Sequence, residues 1–190
     1  MGELTFQEDG HKYFHDSRRI DGNTDILDSF GLIGHKASQG YLDRGTAIHY
    51  ALQLLDENDL DEDGVDPQIK PWIDGYKRFK EDTGFKPIRI EAMAHHDGYL
   101  FATRIDRDGK INGDLVLLEL KSGAKQEWWG WQLALQQIAV AVNYKKRFAL
   151  SLTEDGKYKL HPFHERRWLD EAQAILTVNS LRRNNGNRKG

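Results

Sequence analysis

Leu115 to Leu118 is an unbroken apolar run that ends in Glu119-Leu120-Lys121. A strand projects alternate side chains to opposite faces, so a strand apolar on both faces belongs in the middle of a covered sheet. The same alternation turns Glu119 and Lys121 to one face and Leu118 and Leu120 to the other. A charged pair closing so apolar a strand is costly unless it is paired or coordinated. Asp106 stands thirteen positions before Glu119. The Asp108-Gly109 and Asn112-Gly113 pairs between them are turn formers, so the chain can double back and set Asp106 beside Glu119.

Two carboxylates and an ammonium would then share one edge of a sheet. Hydrolysing a phosphodiester near neutral pH needs a nucleophilic water, charge relief on the phosphate and a stabilised leaving oxygen, all of which hard divalent cations assist. Asp106, Glu119 and the Leu120 carbonyl suit one or two Mg2+ or Mn2+ ions, which prefer oxygen ligands. Lys121 could orient or help deprotonate the water and offset charge on the phosphate. Glu-x-Lys is also a common ion pair on surface strands, and the pattern alone leaves that alternative open.

At 190 residues the chain suits one domain with a real core. Hydrophobic residues make up 38% and charged residues 30%, with five Trp, eight Phe and seven Tyr available for packing. Cysteine is absent. Any metal must therefore sit on oxygen or imidazole, and disulfides and a cysteine nucleophile are excluded. The net charge of -3 does not point to nucleic acid, but the acidic run from Asp56 to Asp66 accounts for much of the excess. No basic segment followed by an apolar run opens the chain, and no apolar stretch approaches the length of a membrane span. A cytoplasmic protein is the expectation.

Leu4 to Ile20 alternates apolar and polar residues around Asp9-Gly10 and reads as a hairpin, with Asn23 or Thr24 capping a helix to about Phe30. Helical spacing runs from about Tyr41 to Leu55, with Gly45 one turn before His49. Gly64 and Asp66-Pro67 mark the next helix start, Ile69, Trp72, Ile73, Tyr76 and Phe79 form its buried stripe, and Gly84 stops it. Strands are expected at about Ile88 to His95, Tyr99 to Asp106 and Leu115 to Lys121. A helix from about Trp128 to Tyr144, a hairpin of Phe148 to Leu152 with Tyr158 to Phe163, and a helix from about Glu165 to Leu181 complete the pattern. His95-His96 reads as a strand or loop edge, because adjacent strand residues face opposite ways. The domain boundaries are 1–190, with an appendage over about 1–35 and a loose basic tail over about 182–190.

In order, "RGTAIHYALQLLDENDLDE", "RIDRDGKINGDLVLLELKSGA" and "WQLALQQ" resemble the PD-(D/E)XK nuclease superfamily, specifically its RecB-like and phage-exonuclease branch. The similarity spans about Tyr13 to Val140. It implies a restriction-endonuclease-like α/β core, a central mixed sheet flanked by helices. It also implies a Mg- or Mn-dependent deoxyribonuclease, an exonuclease rather than an endonuclease, acting on single- or double-stranded DNA ends in recombination, repair or genome processing. By that resemblance Asp106 takes the metal-binding Asp position, Glu119 and Lys121 the (D/E)-x-K positions, His49 the helix His near the metal, and Glu91 the acidic residue on the preceding strand.

Gln132 matches the Gln of the family's QxxxY element, whose Tyr position is Gln136 here. Candidate substrate contacts are Arg104, Ser122, Gln132 and Trp129, with base stacking assigned to whichever of Trp128, Trp129 and Trp131 is exposed. The bland readings stand beside these: a hydrogen-bonded core His for His49, a solvated or ion-paired Glu91, and a core role for the Trp cluster. A non-catalytic nucleic-acid-binding or assembly module on the same fold is the alternative function. The pattern does not choose among a monomer, a homo-oligomer and a recombination-protein partner.

Overall fold

A computed structural model of the protein describes residues 2–7, 10–34 and 39–186. The chain opens with β1 (Leu4–Gln7), β2 (Lys12–His15), β3 (Arg18–Gly22) and the short helix α1 (Asn23–Ser29). The helices α2 (Gln39–Glu57) and α3 (Lys70–Thr83) precede β4 (Lys86–His96), β5 (Phe101–Ile111) and β6 (Asp114–Lys121). The chain then runs through α4 (Trp128–Val140), β7 (Lys146–Leu152), β8 (Tyr158–Pro162) and α5 (Arg166–Gly186).

The strands form one mixed sheet in the order β1-β2-β3-β5-β6-β7-β8, with β4 paired to β5 off that path. Pairing is parallel for β3 with β5 and β6 with β7, and antiparallel elsewhere. Helices cover both faces. On one side α1, α4 and α5 pack Leu27, Leu133, Leu135 and Trp168 against Phe101, Ile105 and Leu117. On the other, α2 and α3 pack Leu52, Trp72, Ile73 and Phe79 against Val116, Leu118 and Leu120. The expected mixed sheet flanked by helices is the observed architecture, and β6 is apolar on both faces because it has a helical layer on each.

β5 positions the site because its partners divide along its length. β4 pairs with it from Phe101 to Lys110, which occupies one edge. The other edge is held by β3 at Phe101 and Ala102 and by β6 from Arg107 onward. Residues 103–106 of that edge have no strand partner, and the end of β6 diverges across the gap. Side-chain alternation also breaks here: Ile105 packs toward α4, and Asp108, an odd number of residues on, reaches Tyr144 in the same layer. Opposite this break, Glu91 on β4 is held in the left-handed region at φ 47, an uncommon conformation for a residue with a side chain.

Several boundaries differ from the sequence expectations. The N-terminal segment is a three-stranded meander, with Asp9 outside the described residues. α1 is capped by Gly22, whose N–H donates to the Asp25 carboxylate at 3.0 Å, and not by Asn23 or Thr24. Asp66-Pro67 forms a turn and α3 starts at Lys70-Pro71, because Asp66 spends its side chain on the Gln68 N–H at 2.8 Å. The turn before β6 is Asn112-Gly113, at φ 51 and 84. Asp108-Gly109 stays inside β5, where a Cβ on Gly109 would collide with the Lys86 carbonyl. The basic tail is not loose over 182–186. α5 continues to Gly186, pinned by Arg183, which donates to the Leu100 carbonyl at 2.9 Å and the Asp21 carboxylate at 3.3 Å. No helix among the described residues is long and apolar enough to cross a membrane.

Candidate functional site

The gap between β5 and β6 opens into a cleft of about 640 Å3, lined among others by His49, Glu91, Arg104, Asp106, Glu119, Leu120, Lys121, Ser122, Trp129 and Gln132. Every expected site residue therefore borders one cavity. Asp106 bridges the gap itself: one carboxylate oxygen accepts the Leu120 N–H at 2.7 Å. In extended backbone the N–H and C=O of one residue point to the same edge, so the Leu120 carbonyl faces the gap as well.

The α2 side of the cleft is ionic. His49 Nδ1 lies 3.7 Å from the other Asp106 oxygen and 3.6 Å from Glu91. Glu91 is shared further, meeting Arg104 Nε at 3.2 Å and Arg107 Nη1 at 3.0 Å. His49, Glu91 and Asp106 each offer a ligand atom within 4.8 Å of the others, so one cation could reach all three. Glu119 does not join that group.

The α4 side is built of amides. Glu119 accepts from Gln132 at 2.7 Å and Lys121 at 2.9 Å on one oxygen, and from Gln136 at 2.6 Å on the other. Lys121 also donates to the Gln132 carbonyl oxygen at 2.9 Å. Glu119, Lys121 and Gln132 thus form a closed triangle, with the Lys121 ammonium 4.8 Å over the Trp128 ring.

Charge follows from this layout. Burial, then the nearby Glu119 carboxylate, push the Asp106 carboxyl up to about 7. Burial opposes charge on His49, but Asp106 and a hydrogen bond to Glu91 outweigh it and raise the imidazole above its ordinary value. Burial would raise Glu91, but His49, Arg107 and Arg104 hold it below the usual carboxylate range. Buried carboxylates in mutual repulsion make a set whose charge a bound cation would balance.

Trp129 is buried in the core at 3% exposure, so its expected stacking role passes to Trp128, which is half-buried at the cleft. Trp131 packs edge-on against Trp168 and donates to Glu171 at 2.6 Å. Ser122 is exposed on the rim.

Sequence reasoning missed three supports. Gln136, treated as a lost Tyr, is fully buried and bonded to Glu119; the signal was its spacing of one turn from Gln132. Arg107 and Asp56, both with wholly buried side chains, pair at 2.8 Å beneath Glu91, and Tyr76 and Lys80 also bond Asp56 at 2.8 and 2.6 Å. Asp56 was hidden in the acidic run because sequence alone does not separate its buried first member from the solvated rest.

No protein-family model matches the chain, and no curated protein matches it. Solved structures do. A protein from Eubacterium rectale assigned as an exonuclease superposes with a TM-score of 0.52 at 15% identity, covering 85% of this chain and 73% of its own. An alkaline exonuclease from Laribacter hongkongensis aligns with a TM-score of 0.48 at 12% identity, covering 83% of this chain and 84% of its own. The first likeness shows a shared fold, a mixed sheet flanked by helices.

Proposed function

We propose that the protein is a metal-dependent DNA nuclease, and an exonuclease rather than an endonuclease. The observation that carries this reading is the junction of two sets at one cleft: His49, Glu91 and Asp106 within reach of one cation, and Lys121 clamped by Glu119 and Gln132 beside them. The Eubacterium rectale protein that shares the fold is assigned as an exonuclease.

Asp106, Glu91, His49 and the Leu120 carbonyl would hold the ion. The oxygen ligands suit Mg2+ or Mn2+, and the imidazole in the set favours Mn2+. When bound, the ion supplies charge relief on the phosphate and lowers the pKa of a coordinated water. The remaining work belongs to the chain. Lys121 orients the nucleophile through its ammonium and offsets charge developing on the phosphate, and Gln132 fixes its direction. Arg104 meets a phosphate oxygen when released from Glu91, and Trp128 offers a ring face to an unstacked base. Gly45 lines the cleft, and a Cβ there would touch nothing within 4 Å, so packing does not explain a glycine inside α2. Close approach of the DNA backbone does.

The test is incubation of linear and circular, single- and double-stranded DNA with Mg2+, Mn2+ or chelator, alongside Glu119→Ala and Lys121→Ala. Metal-dependent loss of linear DNA with circles spared is expected, and absent in both variants. Cleavage in chelator, or in both variants, overturns the mechanism.

A further inference from the structure

We propose that His15, His95 and Asp97 form a second cation site, of the zinc class, which clamps the N-terminal strands to the main sheet. His15 lies on β2, His95 at the end of β4, and Asp97 in the turn that follows. None of the three lines the cleft. His95 Nε2 stands 3.1 Å from an Asp97 oxygen and His15 Nε2 stands 3.9 Å from the same oxygen, with the three ligand atoms all within 4.8 Å of one another. Two donors on one tetrahedral zinc, at bond lengths of about 2.0–2.2 Å, are separated by about 3.3 Å, so these spacings need only small movements. Two imidazoles and one carboxylate favour Zn2+ or a neighbouring transition metal over Mg2+ or Ca2+.

One further observation points to a ligand. Among the described residues His15 Nε2 is buried without a hydrogen-bond partner, an arrangement that is rare for a polar atom unless something else satisfies it. Asp97 is 80% exposed, which leaves water access to a fourth coordination position.

The position gives such an ion a task. Among the described residues β3 pairs with β5 only at Asp21↔Phe101 and Gly22↔Ala102, and Asn179 and Arg183 of α5 hold Asp21. A cation between β2 and β4 would add a tie at β2. Tyr13, two residues from His15 on the same strand, lines the cleft. The clamp would thereby fix one wall of the cleft without entering it.

The chelator-stripped full chain, Asp106→Asn, His95→Ala and Asp97→Asn are each titrated with Zn2+ by calorimetry, and with Co2+ for the visible absorption of tetrahedral sites. Parent and Asp106→Asn are expected to share one equivalent whose affinity falls at least about tenfold in His95→Ala and in Asp97→Asn. Asp97→Asn changes an exposed side chain and keeps the test valid if His95→Ala folds poorly. Unchanged binding in Asp97→Asn, or no Zn2+ binding in Asp106→Asn, overturns the proposal. Because Asp106→Asn disables the cleft and leaves this site intact, failure here is separable from failure of the nuclease reading.

Discussion

Glu119 and Asp106 sit on opposite walls of one gap, and their surroundings differ in kind. Glu119, on the α4 wall, accepts from two glutamine amides and one lysine. Asp106, facing α2, has one backbone donor and otherwise lies beside His49 and the Glu91 carboxylate. Neutral amides satisfy a carboxylate at every pH without competing for its charge, so under the proposed function the α4 wall would serve to position Lys121. The α2 wall is under-satisfied, and burial with the nearby Glu119 carboxylate holds a proton on Asp106 up to about pH 7. One wall gives its carboxylate three side-chain donors; the other gives its carboxylate a single backbone donor.

The largest effect expected from this contrast is at Lys121. Lys121→Met should lower cleavage by about 100-fold to 10,000-fold while leaving Mn2+ affinity within a few-fold, measured by single-turnover cleavage and calorimetry. Equal losses in both would mean that the α4 wall also holds the ion.

Asp106→Asn comes next and should split activity from stability. Mn2+ affinity should fall by about 10- to 100-fold and cleavage with it, yet the metal-free protein should become more stable at pH 8. The sign follows from proton counts. Unfolded, Asp106 titrates at about 3.9; folded, it holds its proton to about 7. Across that window the folded state carries the extra proton, so the contribution of Asp106 to stability is present below the lower value and is lost as pH rises through the upper one. Thermal melts from pH 4 to pH 8, with and without the substitution, check this slope.

Removing one amide gives a smaller change. Gln136→Leu leaves one Glu119 oxygen buried without its donor, which should cost about 1–3 kcal/mol of stability and about 10- to 100-fold in activity. Denaturant titration and cleavage rates read the two effects. The smallest change is Gly45→Ala. A glycine inside a helix costs about 1 kcal/mol relative to alanine, so stability should rise by that amount, while Km for DNA increases if the backbone passes there.

The regular elements were legible because local chemistry decides them. The doubly apolar Leu115 to Leu118, the left-handed stop at Gly84 and the Asn112-Gly113 turn follow from residue type and spacing. Asp106, Glu119 and Lys121 were legible as a group for the same reason, once one turn was seen to bring them together. Glu91 was named only through the family resemblance, since its orientation depends on a positive φ opposite a break in β5. The parallel pairing of β3 with β5, the Arg107 to Asp56 pair and the meeting of His15 with Asp97 were not legible. Each joins distant segments, and the two side-chain contacts do so through residue types that are ordinarily exposed, so composition and period contain no trace of them.

The branched edge of β5 has a consequence for how the protein comes into being. Its neighbours are drawn from residues 21–22, 86–96 and 114–118, and β6 is in turn held in register by β7 as far as Lys121↔Ser151. The β4–β5 and β5–β6 hairpins are local, but the β3–β5 and β6–β7 pairings close long loops and are slow to form. A growing chain would carry all the acidic and basic groups of the cleft well before it could cut anything. Under the proposed function, competence would arrive only with the last non-local contacts, so an unfinished chain would not yet cut.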